Sequence, residues 1–107
     1  MREAPVVVLV LNTNGTSPFL PVDADARITE LCNTLSIGAA VQNLLLRAFE
    51  LRLGTLLIAN TSFAYPELTA HISTDAQLVC AVALRLAAES PAARPWKPLA
   101  DIAEFRL

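Results

Sequence analysis

The chain is poor in charge, aromatics and glycine. Of 107 residues only 17% are charged and 6% aromatic, and there are three glycines and one histidine. No run of Lys or Arg occurs, and the formal net charge is −2, so the electrostatic footprint of a nucleic-acid binder is missing. No apolar run approaches the roughly 20 residues of a membrane span. Ala4–Leu11 is typical of what the sequence offers. That run has no small-residue cleavage site behind it, which argues against a signal peptide. Cys32 and Cys80 stand far apart in apolar segments, a pattern of buried reduced thiols in a cytosolic protein rather than of a disulfide or metal site. GxSxG, P-loop, HExxH and CxxC motifs are all absent.

What is abundant is apolar side chain. Apolar residues make up 54% and mean hydropathy is +0.49, against about 45–50% apolar in ordinary soluble domains. Such a composition excludes disorder. One domain of this size buries only about 60% of its extended surface, so the excess is expected to face a partner.

The apolar residues fall into segments. Pro5–Leu11 is a β-branched run closed by Asn12-Thr-Asn-Gly-Thr-Ser-Pro18, which reads as a strand and a turn-rich loop. Residues 24–53 carry Ile28, Leu31, Leu35, Gly38, Gln42, Leu45, Phe49 and Leu53 at three- and four-residue steps. This predicts a long helix, N-capped by Asp23 or Asp25 and stopped at Gly54. Its middle, Ile37–Leu46, is apolar almost all round, as in a helix buried on every side, and Gly38, Ala39 and Ala40 leave room for another backbone. Thr55–Ala59 and Leu78–Leu84 read as further strands buried on both faces, with a short helix at Tyr65–Ile72 between them. Residues 89–107 form a proline-containing arm in which Pro98–Arg106 suits a helical turn or an added strand. The expectation is one domain over residues 1–107, of α/β or α+β class. Its three-layer sandwich has a central mixed sheet and a long buried helix.

Two places carry candidate chemistry. Gln42-Asn43 puts amides into the most apolar part of the helix. Buried there, an amide needs a hydrogen bond, supplied by the helix itself, by a polar ligand or across a subunit boundary. Leu57–Asn60 ends a strand in a small residue and then a polar one, either a plain strand exit or a place where a flat ligand meets the backbone. His71 suits an exposed position, and Asp101 with Glu104 suits a solvated face. No catalytic side chain and no metal ligand set is assigned.

Ser36-Ile-Gly-Ala-Ala-Val-Gln-Asn-Leu-Leu-Leu-Arg-Ala-Phe-Glu-Leu-Arg-Leu-Gly-Thr55 resembles the central helix and following glycine of the FMN-dependent nitroreductase family. Ala4–Val10 resembles the family's inner strand, Leu57–Asn60 its Trp-Ile-Gly stretch, and Leu78–Leu86 with Arg94–Ile102 its last strand and basic arm. The resemblance spans nearly the whole chain but matches only the family's C-terminal half, an incomplete nitroreductase-like fold. It implies a flavoprotein that uses FMN to pass electrons from NAD(P)H to nitroaromatic or quinone-like acceptors. It places Gln42, Ile58, Ala59 and Asn60 at the flavin and Arg94 and Lys97 at its phosphate. It further implies a cytoplasmic homodimer or higher oligomer built on helix 24–53, with a separate chain supplying the N-terminal half. The Arg-x-Ser-x-Arg phosphate motif is absent, Ala59 replaces the usual glycine, and Trp96 stands where a basic residue is common. These departures suit the alternative, a non-catalytic dimerisation module that has lost the FMN site.

Overall fold

The computed structural model describes residues 6–106. The start of the first strand at Ala4 and Pro5 therefore lies outside the described residues. The chain runs β1 (Val6–Asn12), α1 (Ala24–Glu50), β2 (Leu53–Ile58), a 3-10 turn at Thr61–Ala64, α2 (Tyr65–His71), β3 (Gln77–Leu86) and a single helical turn, α3 (Leu99–Ile102). This is a mixed α and β architecture, as the segment pattern predicts.

The sheet is not mixed in its pairing. Its strand order is β1-β3-β2, and both ladders are antiparallel. Because β3 lies between β1 and β2, those two strands run the same way without touching. The long connection through α1 makes a split β-α-β unit. Val82 stands at the centre of the sheet, opposite Val8 on one side and Leu57 on the other. A β-bulge falls between Val10 and Leu11.

Burial on both faces holds for β3 alone. Leu78, Cys80, Ala81, Val82 and Ala83 are buried, whereas Val6 and Val7 on β1 and Leu56 and Leu57 on β2 are about half exposed. Those two strands are edges, and edges keep one side open however apolar their sequence. α1 covers the face bearing Cys80 and Val82, where Val41, Ile37, Leu44 and Leu45 meet Val8, Val10 and Leu84. On the opposite face Val7, Ala83 and Leu56 form one cross-strand row and Leu9, Ala81 and Ile58 the next. In the first of these rows the central Ala83 is buried while Val7 and Leu56 on either side of it are half exposed.

α1 starts where the capping signal puts it. The Asp23 carboxylate accepts a hydrogen bond from the Ala26 N–H at 2.8 Å, and Asp25 sits in the first turn, where acid favours the helix dipole. The helix does not run to Gly54. It ends at Glu50 with Leu51 as C-cap, and Arg52 reverses the chain at φ 60°, the left-handed conformation that glycine usually takes. Gly54 belongs to β2, and a Cβ there would stand 3.3 Å from the Ala87 Cα, so the glycine lets the start of the C-terminal arm pass close by.

Nor is α1 buried all round. Among its residues only Val41 and Ala48 are buried. At about 100° per residue, Ile28, Leu35 and Leu46 project toward the back of the helix and Leu31 and Phe49 along its flank, all away from the sheet-facing side. All five are exposed, Leu35 to 75% and Phe49 to 79%. The helix has two apolar faces and the sheet covers one. At Gly38 a Cβ would meet nothing within 4 Å, so among the described residues no other part of the chain uses the close approach that glycine permits.

Candidate functional site

The six candidate residues fall into three groups. Ile58, Ala59 and Asn60 are contiguous. Ile58 closes β2 opposite Ala81 and is half-buried, and the chain then emerges with Ala59 and Asn60 exposed. Asn60 stands at the N-cap of the 3-10 turn but makes no side-chain capping bond, so its amide is free. Gln42 and Asn43 follow the buried Val41 and point outward. The expectation of a buried Gln42 amide is thus corrected: it sits within the exposed apolar stripe of α1 and carries no desolvation cost there. Arg94 and Lys97 lie on the arm between β3 and α3, fully on the surface. No hydrogen bond or ion pair joins these three groups among the described residues.

Other expected positions behave as surface residues. His71 ends α2 in an exposed position. Glu104 pairs with Arg106 at 2.8 Å rather than working with Asp101. The cysteines divide: Cys80 is buried and Cys32 is exposed on α1, and both are free thiols. The expectation that both are buried fails for Cys32 because it lies on the helix away from the sheet. Burial pushes the Cys80 thiol pKa up, which leaves it a poorer nucleophile at neutral pH. No group of His, Cys, Asp or Glu able to hold a metal occurs among the described residues. No helix among them is long and apolar enough to cross a membrane.

One polar cluster escaped the sequence reading. The Asn12 amide donates to Gln77 Oε1 at 3.3 Å, both side chains being buried, and the Asn14 N–H donates to Asn12 Oδ1 at 3.1 Å. A Cβ on Gly15 would stand 2.8 Å from Gln77 Oε1 and 2.9 Å from the Asn12 amide nitrogen, so the glycine keeps room for the pair. Nearby, the Leu78 N–H donates to the Tyr65 hydroxyl at 3.1 Å, and Phe19 meets the Tyr65 ring edge-on at 5.7 Å. This network ties the β1 turn and α2 to the beginning of β3. Its only local signal is Asn12-Thr-Asn-Gly15, an Asx-turn pattern.

No protein-family model matches the sequence, and no curated protein matches it.

Proposed function

We propose that the chain is one component of an FMN-dependent NAD(P)H oxidoreductase of nitroreductase type, passing electrons to nitroaromatic or quinone-like acceptors. In this reading the fold is the incomplete form of a three-layer sandwich, competent only once its open faces are covered. The observation that carries it is the coincidence of free polar groups with uncovered apolar surface. Gln42 lies amid Leu35, Leu46 and Phe49, and Asn60 follows directly on the half-open edge of β2.

The donor chemistry suits the cofactor. Arg94 and Lys97 have no carboxylate partner among the described residues, and two free cations on one arm suit a dianionic phosphate. The Gln42 and Asn60 amides are available to the polar edge of a flavin ring, and Ala59 offers it little bulk. FMN, when bound, supplies the hydride and electron chemistry, while the chain binds, orients and excludes water. The partners in this reading are a second copy held through α1, making a homodimer or higher oligomer, and a further chain that completes the cover of the sheet.

A second reading has its own support. No hydrogen bond or ion pair joins the three candidate groups among the described residues, and Trp96 takes a place where a third cation would help a phosphate. That favours a dimerisation module without chemistry. Titrating FMN with the protein and following flavin fluorescence separates the two. Saturable quenching at micromolar FMN, weakened at least tenfold by Lys97→Ala, supports the flavin reading. Unchanged fluorescence supports the module.

A further inference from the structure

Asn14-Gly15 is the one place in the sequence where a glycine follows an asparagine; Asn12, Asn33 and Asn60 precede threonine and Asn43 precedes leucine. The backbone nitrogen after an asparagine can attack the side-chain Cγ and close a five-membered ring. Glycine, having no Cβ, lets that nitrogen approach without crowding. Asn14 is exposed, and its side-chain amide makes no hydrogen bond among the described residues. Nothing in the folded chain holds that amide away from the ring-closing rotamer.

The buried polar cluster requires the glycine. A Cβ at position 15 would stand 2.8 Å from Gln77 Oε1 and 3.0 Å from the Gln77 Cβ, with the Asn12 amide nitrogen at 2.9 Å. Asn12 and Gln77 are both buried and bonded to each other at 3.3 Å, so a larger residue would push that pair apart. The packing thus demands a glycine at the position where a glycine makes Asn14 reactive.

Asn12 also restrains the reaction. Its main-chain carbonyl accepts from the Gly15 N–H at 3.1 Å, and its side-chain Oδ1 accepts from the Asn14 N–H at 3.1 Å. The nitrogen that would attack is therefore engaged in the turn, and the peptide units on both sides of Asn14 are fixed to one residue. Asn12 is itself 3% exposed, paired with Gln77 in the ladder and bonded to its side chain. Swinging the Gly15 nitrogen onto Asn14 Cγ requires its bond to Asn12 to break first.

We infer that Asn14 is a site of spontaneous deamidation whose rate is set by Asn12 and its buried partner Gln77. The Gly15 nitrogen gives its proton to base and bonds to Asn14 Cγ, the Cγ–Nδ2 bond breaks, and ammonia leaves. Water then opens the succinimide: cleavage at Cγ gives aspartate at position 14, and cleavage at the backbone carbonyl gives isoaspartate. One water is taken up and one ammonia released, with nothing oxidised or reduced. The isoaspartyl chain has one more main-chain carbon between the two nitrogens that Asn12 holds. Both bonds cannot then be kept, and Gln77 blocks Gly15 from moving inward to compensate. The conversion loosens the junction of β1 and β3. It makes no use of the flavin, so it stands or falls apart from the proposed activity.

The full chain is incubated without FMN at mildly alkaline pH, in buffer and in urea. Peptide mapping by mass spectrometry follows each asparagine, and enzymatic methyl transfer identifies isoaspartate. In urea Asn14 should convert first among the asparagines, and in buffer about tenfold more slowly. Asn12→Ala should speed conversion in buffer about fivefold, the worth of one ordinary hydrogen bond, and leave the rate in urea unchanged. Gln77→Ala, which frees Asn12 without altering it, should act in the same direction. Val82→Ala, which loosens the core away from the turn, should leave the rate in buffer at the wild-type value. The isoaspartate form, separated by ion exchange, should melt below the unconverted chain. Equal rates in buffer and urea, or another asparagine converting first, would overturn the inference. So would equal acceleration by Val82→Ala, or an isoaspartate form as stable as the starting chain.

Discussion

Val82 is fully buried at the crossing of both ladders and α1, so Val82→Ala probes the whole packing scheme at one point. The substitution removes two methyl groups, worth about 1.6 kcal/mol of transfer free energy. It leaves a hole of roughly 50 Å³, which adds about 1 kcal/mol at about 24 cal/mol per Å³. A loss of about 2–3 kcal/mol is expected, or roughly 10–20 °C in Tm for a chain of this size. Val41 on α1 belongs to the same buried cluster as Val82. Val41→Ala should therefore be non-additive with Val82→Ala by at least about 0.5 kcal/mol, since the two cavities merge. The assay is urea denaturation followed by far-UV circular dichroism at one fixed chain concentration, because assembly makes stability concentration-dependent. A loss under about 1 kcal/mol for Val82→Ala, or strict additivity of the pair, would refute the packing of α1 on this face.

Four further outcomes follow from individual residues. Arg52 holds a positive φ at the end of α1, so Arg52→Gly should raise stability by about 1 kcal/mol, and a fall in Tm would contradict the cap as described. Asn12→Ala leaves the buried Gln77 oxygen without its donor and should cost about 1–3 kcal/mol, checked by the same denaturation. Cys32 should react with a thiol reagent at the rate of an open thiol, while Cys80 reacts only on unfolding. The raised pKa of Cys80 has a linked consequence. The fold favours the neutral thiol, so its contribution is complete below the ordinary thiol value of about 8.5 and is lost as pH rises through the higher folded value. Stability should therefore decline at alkaline pH in the wild type and less so in Cys80→Ala.

Much of the fold was legible because local signals agree with it. The β-branched runs became β1 and β3, Asp23 capped α1 as its position before the apolar periodicity indicates, and Tyr65-Pro66 opened α2. Pairing was not legible. A continuous apolar run says that a strand is apolar, not which neighbours it has, so β1 and β2 looked like interior strands although both are edges. The helix misled for a related reason. Periodicity counts apolar positions, but Ile37, Val41, Leu44 and Ala48 face the sheet while Ile28, Leu31, Leu35 and Phe49 face away, and only the tertiary arrangement tells one set from the other. The stop at Gly54 was displaced because Arg52 accepts the strained turn conformation itself. Asn12 and Gln77 are 65 residues apart, beyond any local pattern. At the candidate site, the contiguous Ile58–Asn60 could be read as a unit, whereas Gln42, Arg94 and Lys97 have no sequence feature that fixes where they lie relative to it.

In the proposed function, open apolar faces beside free polar groups form an assembled flavin site. Sedimentation velocity of the full chain with FMN, recorded at both protein and flavin absorbance, addresses it most directly. Flavin absorbance moving with a dimer or larger species is the predicted result. Protein sedimenting as a monomer, with the flavin left free, would contradict it.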